Sequence, residues 1–165
     1  MESAVWGLIR TVVGALASVG TSWLSGRTSS SLQSKKARED RDERAKAFQR
    51  QTLLDLQESI HDAIRLVHRS YIEDFAAHRE SNQWGTNNLT DAVNEGIRLA
   101  QRKVSILVER VADDSLRSEI KTLMSTTTQV LFASSERQAQ FHLDKTFADA
   151  NQTFEKIGTV LRQYY

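Results

Sequence analysis

The stretch TDAVNEGIRLAQRKVSILVERV, residues 90–111, decides how this chain folds. Within it Val93, Ile97, Ala100, Val104, Leu107 and Val111 follow one another at spacings of 4, 3, 4, 3 and 4. A strand would alternate apolar and polar residues with a period of two, whereas this period of 3.5 draws one apolar stripe along a helix. The polar residues Asn94, Glu95, Arg98, Gln101 and Lys103 fall between the stripe positions. Such a helix is stable only when its stripe is covered by other helices. Thr90 stands where an N-cap belongs.

The same period continues in both directions. Downstream, Asp113-Asp114-Ser115 interrupts it and offers caps for a third helix carrying Leu116, Ile120, Leu123, Thr127 and either Val130 or Leu131. Ser134-Ser135 marks one more turn, and a fourth helix follows with Phe147, Phe154, Ile157, Leu161 and Tyr164 as its apolar set. Upstream, residues 80–88 form the clearest loop. Before it, Ala45, Phe48 and Thr52 lead into Leu53, Leu56, Ile60, Ala63, Val67, Tyr71 and Phe75, which mark a first helix over residues 32–79. Short connections force consecutive helices to run antiparallel. The chain contains no proline, which would remove a backbone donor and clash inside a helix. The expected fold is therefore all-α: an N-terminal membrane helix (residues 1–24), a linker (25–31), and a charged helical stalk leading into an antiparallel up-down bundle of about four helices (32–165).

Residues 4–24 form a 21-residue stretch with one charge, Arg10. At about 1.5 Å per residue it just spans a hydrocarbon core of about 30 Å. Trp6 and Trp23 lie near its ends, at headgroup level, and Arg27 follows as a further interfacial anchor. Residues 31–50 carry seven basic and four acidic side chains, whereas residues 51–165 carry thirteen basic and sixteen acidic ones. Because basic residues stay on the cytoplasmic side, this asymmetry predicts a membrane protein with its N-terminus out and its bundle in the cytoplasm. A cleavable signal peptide fits less well, since only Arg10 supplies positive charge. An interfacial amphipathic helix, with Arg10 reaching the headgroups, is the other rival.

The segment has a patterned face. Gly7, Thr11, Gly14, Ser18 and Thr21 recur at 4, 3, 4 and 3 residues, with Arg10 alongside. Small residues on one face let helices approach closely in lipid, and an intramembrane arginine turns toward a bundle interior, water or a partner. These six residues are the candidate membrane and oligomer interface. Beyond them, Lys35/Glu39, Lys36/Asp40, Arg38/Asp42, Asp40/Arg44 and Asp42/Lys46 stand four apart with opposite charge. Each pair supports a solvated helix by about 0.2–0.5 kcal/mol. The interleaved acids argue against nucleic-acid binding, which needs an uninterrupted basic face.

Signs of chemistry are sparse. With no cysteine, disulfides, thiolate metal sites and a cysteine nucleophile are excluded. Glu58 and His61 have the Glu-x-x-His spacing of di-iron bundles, but no second copy exists. His61 and His68, seven residues apart, share one helix face that reads as exposed or partner-facing. No phosphate-binding glycine loop or nucleophile elbow occurs. The expectation is a non-enzyme without cofactor or metal. Trp84, Tyr164 and Tyr165 are the candidate aromatic anchors for a partner, the plainer reading being that each packs against a bundle end.

Trp6 in a Gly/Ala-rich anchor, the charged run ending in Ala45-Lys46-Ala47-Phe48-Gln49-Arg50, and the stretch from Val108 to Arg117 together resemble a group of small uncharacterised actinobacterial membrane proteins. That resemblance implies a bacterial inner-membrane location and no activity. The expected function is a membrane-anchored, self-associating scaffold or adaptor that presents its bundle to a protein partner. A membrane-active oligomer formed by residues 4–24 is the first alternative. A soluble helical assembly component is the second.

Overall fold

The structure, a computed structural model, describes the backbone of residues 2–85 and 90–165 and the side chains of residues 32–85 and 90–165. Four helices make up the described residues: α1 (Glu2–Ser81), α2 (Asp91–Val108), α3 (Asp114–Leu131) and α4 (Glu136–Arg162). The chain divides into two units, Met1–Ala45 and Lys46–Tyr165.

In the first unit the backbone of α1 is unbroken. The polar run 25–31, expected to end one helix and start another, is helical. A single glycine costs about 1 kcal/mol in a helix, and serine and threonine hydroxyls can bond the preceding turn's carbonyls. Extending a helix that is already nucleated outweighs such local costs. Every side chain from Leu32 to Phe48 is exposed. Of the five anticipated ion pairs, Lys35–Glu39 alone lies within 4 Å, at 3.9 Å. Among residues 32–85 and 90–165 no helix is long and apolar enough to cross a membrane. The side chains of Trp6, Gly7, Arg10, Thr11, Gly14, Ser18, Thr21, Trp23 and Arg27 lie outside the described residues.

The second unit is an up-down bundle of four antiparallel segments. Contacts run in register around it. On the α1/α2 side, Leu66 lies beside Gly96, and the Gln49 amide bonds the α2–α3 turn, donating to Arg110 O (2.9 Å) and accepting from Ala112 N (3.0 Å). Between α3 and α4, Glu119 pairs with Lys156 at 2.6 Å. Between α1 and α4, Tyr71 Oη donates to Gln140 Oε1 at 2.6 Å.

The helix ends follow the sequence signals with one exception. Asp113 accepts Leu116 N at 2.7 Å and caps α3, and Ser135 accepts Gln138 N at 3.3 Å and caps α4. Thr90 occupies the N-cap of α2, but its side chain makes no cap hydrogen bond. Asn82 ends α1 in the left-handed region (φ 54°), with its N–H bonded to His78 O. Asparagine tolerates that conformation better than most residues. Helix α2 stops three residues earlier than its apolar period suggests. Val111 is nonetheless buried, and Arg117 Nη2 holds its carbonyl at 2.6 Å.

Leu53, Leu56, Ile60, Leu116, Ile120, Leu123 and Ile157 are at most 1% exposed and form the centre of the core. A smaller cluster of Val67, Val130 and Leu143 lies toward the Trp84 end. The seam of α4 differs from the one read in the sequence. Ala139, Leu143, Thr146, Ala150, Thr153, Ile157 and Val160 are buried, at spacings of 4, 3, 4, 3, 4 and 3. Of the anticipated set only Ile157 is fully buried. Phe154, Leu161 and Tyr164 are half-buried, and Phe147 is 40% exposed. Small residues let α4 sit close to its neighbours, which leaves no room for phenyl rings in the seam.

Candidate interaction surfaces

The phenyl rings displaced from the seam build a ladder along the α1/α4 face. His61 stacks on Phe154 with ring centroids 4.1 Å apart and planes 16° apart. One heptad further along α1, and one heptad back along α4, His68 meets Phe147 edge-on at 5.6 Å. Equal spacing on two antiparallel helices brings both pairs into register. Aromatic pairs of this kind contribute about 0.5–1.5 kcal/mol each beyond the area they cover. Leu54 (43% exposed) and Ile72 (51%) lie on the same side of α1, eighteen residues apart, which is five full turns. They extend the apolar stripe past both rungs. The two histidines therefore do share a face, as their spacing indicates. Each has a phenyl ring against it, and among the described residues no group of three or more His, Cys, Asp or Glu could hold a metal ion.

At one end of the bundle Trp84 is a strut. Its Nε1 donates to Ala133 O at 3.0 Å, and its ring lies against Tyr71 (6.0 Å) and edge-on to His78 (5.7 Å). The loop after α1 is thereby fastened to the α3–α4 turn. His78 Nε2 stands 3.5 Å from Glu136 Oε2, while its Nδ1 is buried without a partner. Burial pushes the Tyr71 hydroxyl above its ordinary pKa, and the nearby carboxylates of Glu136 and Asp144 push it further. Burial likewise raises the Asp74 carboxyl, with Glu73 adding repulsion.

At the opposite end the Tyr164 carbonyl accepts from Arg50 Nη1 at 3.3 Å. The same guanidinium lies 5.0 Å from the ring centroid of Tyr165, which is 84% exposed. Of the three aromatic anchors read from the sequence, Trp84 and Tyr164 are thus engaged within the bundle, and Tyr165 is the accessible one. Sequence reading missed the His–Phe ladder. Its signal is present as two heptad-spaced pairs, His61/His68 and Phe147/Phe154, of which the second reads as core in the sequence.

No family model, curated protein or solved structure matches this chain.

Proposed function

We propose that this protein is a membrane-tethered helical scaffold. Residues 4–24 hold it at a bacterial inner membrane and associate with their counterparts in other copies, and the bundle engages a protein partner along the α1/α4 ladder. The observation that supports the partner surface is the exposed line of Leu54 and Ile72 flanking two His–Phe pairs, of which Phe147 is itself exposed. A straight stripe about 27 Å long suits an amphipathic helix with apolar anchors at i, i+3 or i+4, and i+7. The tether rests on the apolar segment, its terminal tryptophans and the basic excess that follows it.

Two measurements test the halves separately. A photo-reactive phenylalanine analogue at Leu54 or Ile72 in cells is expected to give a discrete protein adduct, and the same analogue at Ser118, on α3, is not. Adducts of equal yield at all three positions, or at none, remove the partner surface. Washing membranes with alkaline carbonate is expected to leave the chain in the pellet, and complete release removes the spanning tether.

A further inference from the structure

Helices α2 and α3 part from one another over a hollow of about 530 Å³. Its floor is Val104, Val108 and Ile120, and Met124, whose flexible thioether adapts to the shape of what it meets, forms part of one wall. Two braces cross the gap. Gln101 Nε2 donates to Thr128 Oγ1 at 3.4 Å, and eight residues further along α2, Glu109 pairs with Lys121 at 2.6 Å. The braces stand about 12 Å apart along the helix. A partner helix, roughly 10 Å across with its side chains, could not lie along the gap without breaking both. A compact molecule fits between them, and the volume is that of small-molecule pockets, about 300–1,000 Å³.

The charge of the lining narrows the class. Glu109 and Lys121 are its only ionic residues, and they neutralise each other. An ionised ligand would lose hydration here and find no free counter-charge. On α2 the Gln101 side-chain carbonyl remains an open acceptor beside its brace, and on α3 the Ser125 hydroxyl and the Gln129 amide, one turn apart, make no hydrogen bond with any other described residue. We infer that the α2/α3 hollow binds an uncharged amphipathic small molecule, its apolar body on the Val104/Val108/Ile120 floor and its polar end at Ser125 and Gln129. This site is separate from the α1/α4 ladder, and neither reading depends on the other.

The absence of cysteine allows a direct test on the full-length chain. Ser125→Cys places one thiol at the hollow, and Ser118→Cys places one on exposed α3 surface. Labelling rates are measured by intact mass with uncharged N-phenylmaleimide and with a cationic methanethiosulfonate. Comparing the ratio of the two rates at each position cancels partitioning into detergent or lipid. The ratio is expected to be at least tenfold higher at residue 125, to saturate with N-phenylmaleimide concentration, and to be lowered by 1-decanol but not by decanoate. Ser105→Trp, an exposed substitution on the opposite rim, is expected to abolish the excess with the melting temperature unchanged. Equal ratios at 125 and 118 overturn the proposal, as does protection by decanoate equal to that by decanol. Slow labelling of residue 125 by both reagents overturns it in favour of a protein surface covering the hollow.

Discussion

Thr153 and Thr127 show how little a buried hydroxyl's identity reveals without its partner. Both are fully buried in the bundle. Thr127 Oγ1 donates to Leu123 O at 2.8 Å, whereas Thr153 Oγ1 has no partner. An unmet buried hydroxyl costs about 1–3 kcal/mol. Thr153→Val, which keeps the shape, is therefore expected to raise unfolding free energy by about 1 kcal/mol or more in urea titrations. Thr127→Val is expected to lie near zero, because the Leu123 carbonyl keeps its helical bond. Equal effects of the two substitutions would refute this account. Gly96 offers a second contrast. A Cβ added there meets Leu66 Cδ2 at 3.4 Å, an ordinary van der Waals contact, and the backbone is helical. Gly96→Ala is expected to stabilise the protein by about 0.5–1 kcal/mol through helix propensity, and a loss of stability would show that α1 and α2 need the closer approach.

At the scale of the helices, sequence and structure agree where apolar side chains carry the stripe and part where small residues do. Val93, Ile97, Val104, Leu107 and Val111 were all legible as core, because they hold an unbroken period of 3.5 with Asn94, Glu95, Arg98, Gln101 and Lys103 falling between them. The α4 seam was not legible. Ala139, Thr146, Ala150 and Thr153 rank low in hydrophobicity, and the neighbouring Phe147 and Phe154 drew the stripe about 60–80° around the helix. The cross-chain clasps, Gln49 on the α2–α3 turn and Trp84 on Ala133, join residues 49 or more apart, and no local pattern announces them. The α2–α3 pair also carries a pH signature. Lys121, through its hydrogen bond and its charge, holds the Glu109 carboxyl below its ordinary value of 4.5. A depressed carboxylate contributes stability in full above the ordinary value and loses it as pH falls through the lower folded one. The small difference in melting temperature between the wild type and Glu109→Gln is thus expected to hold from pH 7 to about 5 and to shrink below 4.5. A difference that stays constant down to pH 3 would mean that the pair contributes nothing through charge.

For the molecule as a whole, the division at residue 45 has an energetic counterpart. All buried residues among those described lie between Thr52 and Val160, while residues 32–48 are exposed throughout. The core of the second unit is therefore complete without any described side chain of the first, and the packed helices, not the charged segment, supply the cooperative unit. The proposed assignment of self-association to residues 4–24 makes the two units separable in a stronger sense. Deleting residues 1–30 is expected to leave the melting temperature of the bundle within a few degrees of the full chain. In detergent, light scattering is expected to change from an oligomer to a monomer. If the shortened chain keeps the full chain's oligomeric state, association belongs to the bundle, and the small-residue stripe loses its role. If it fails to fold, residues 1–30 contribute to the core, and a membrane tether no longer explains them.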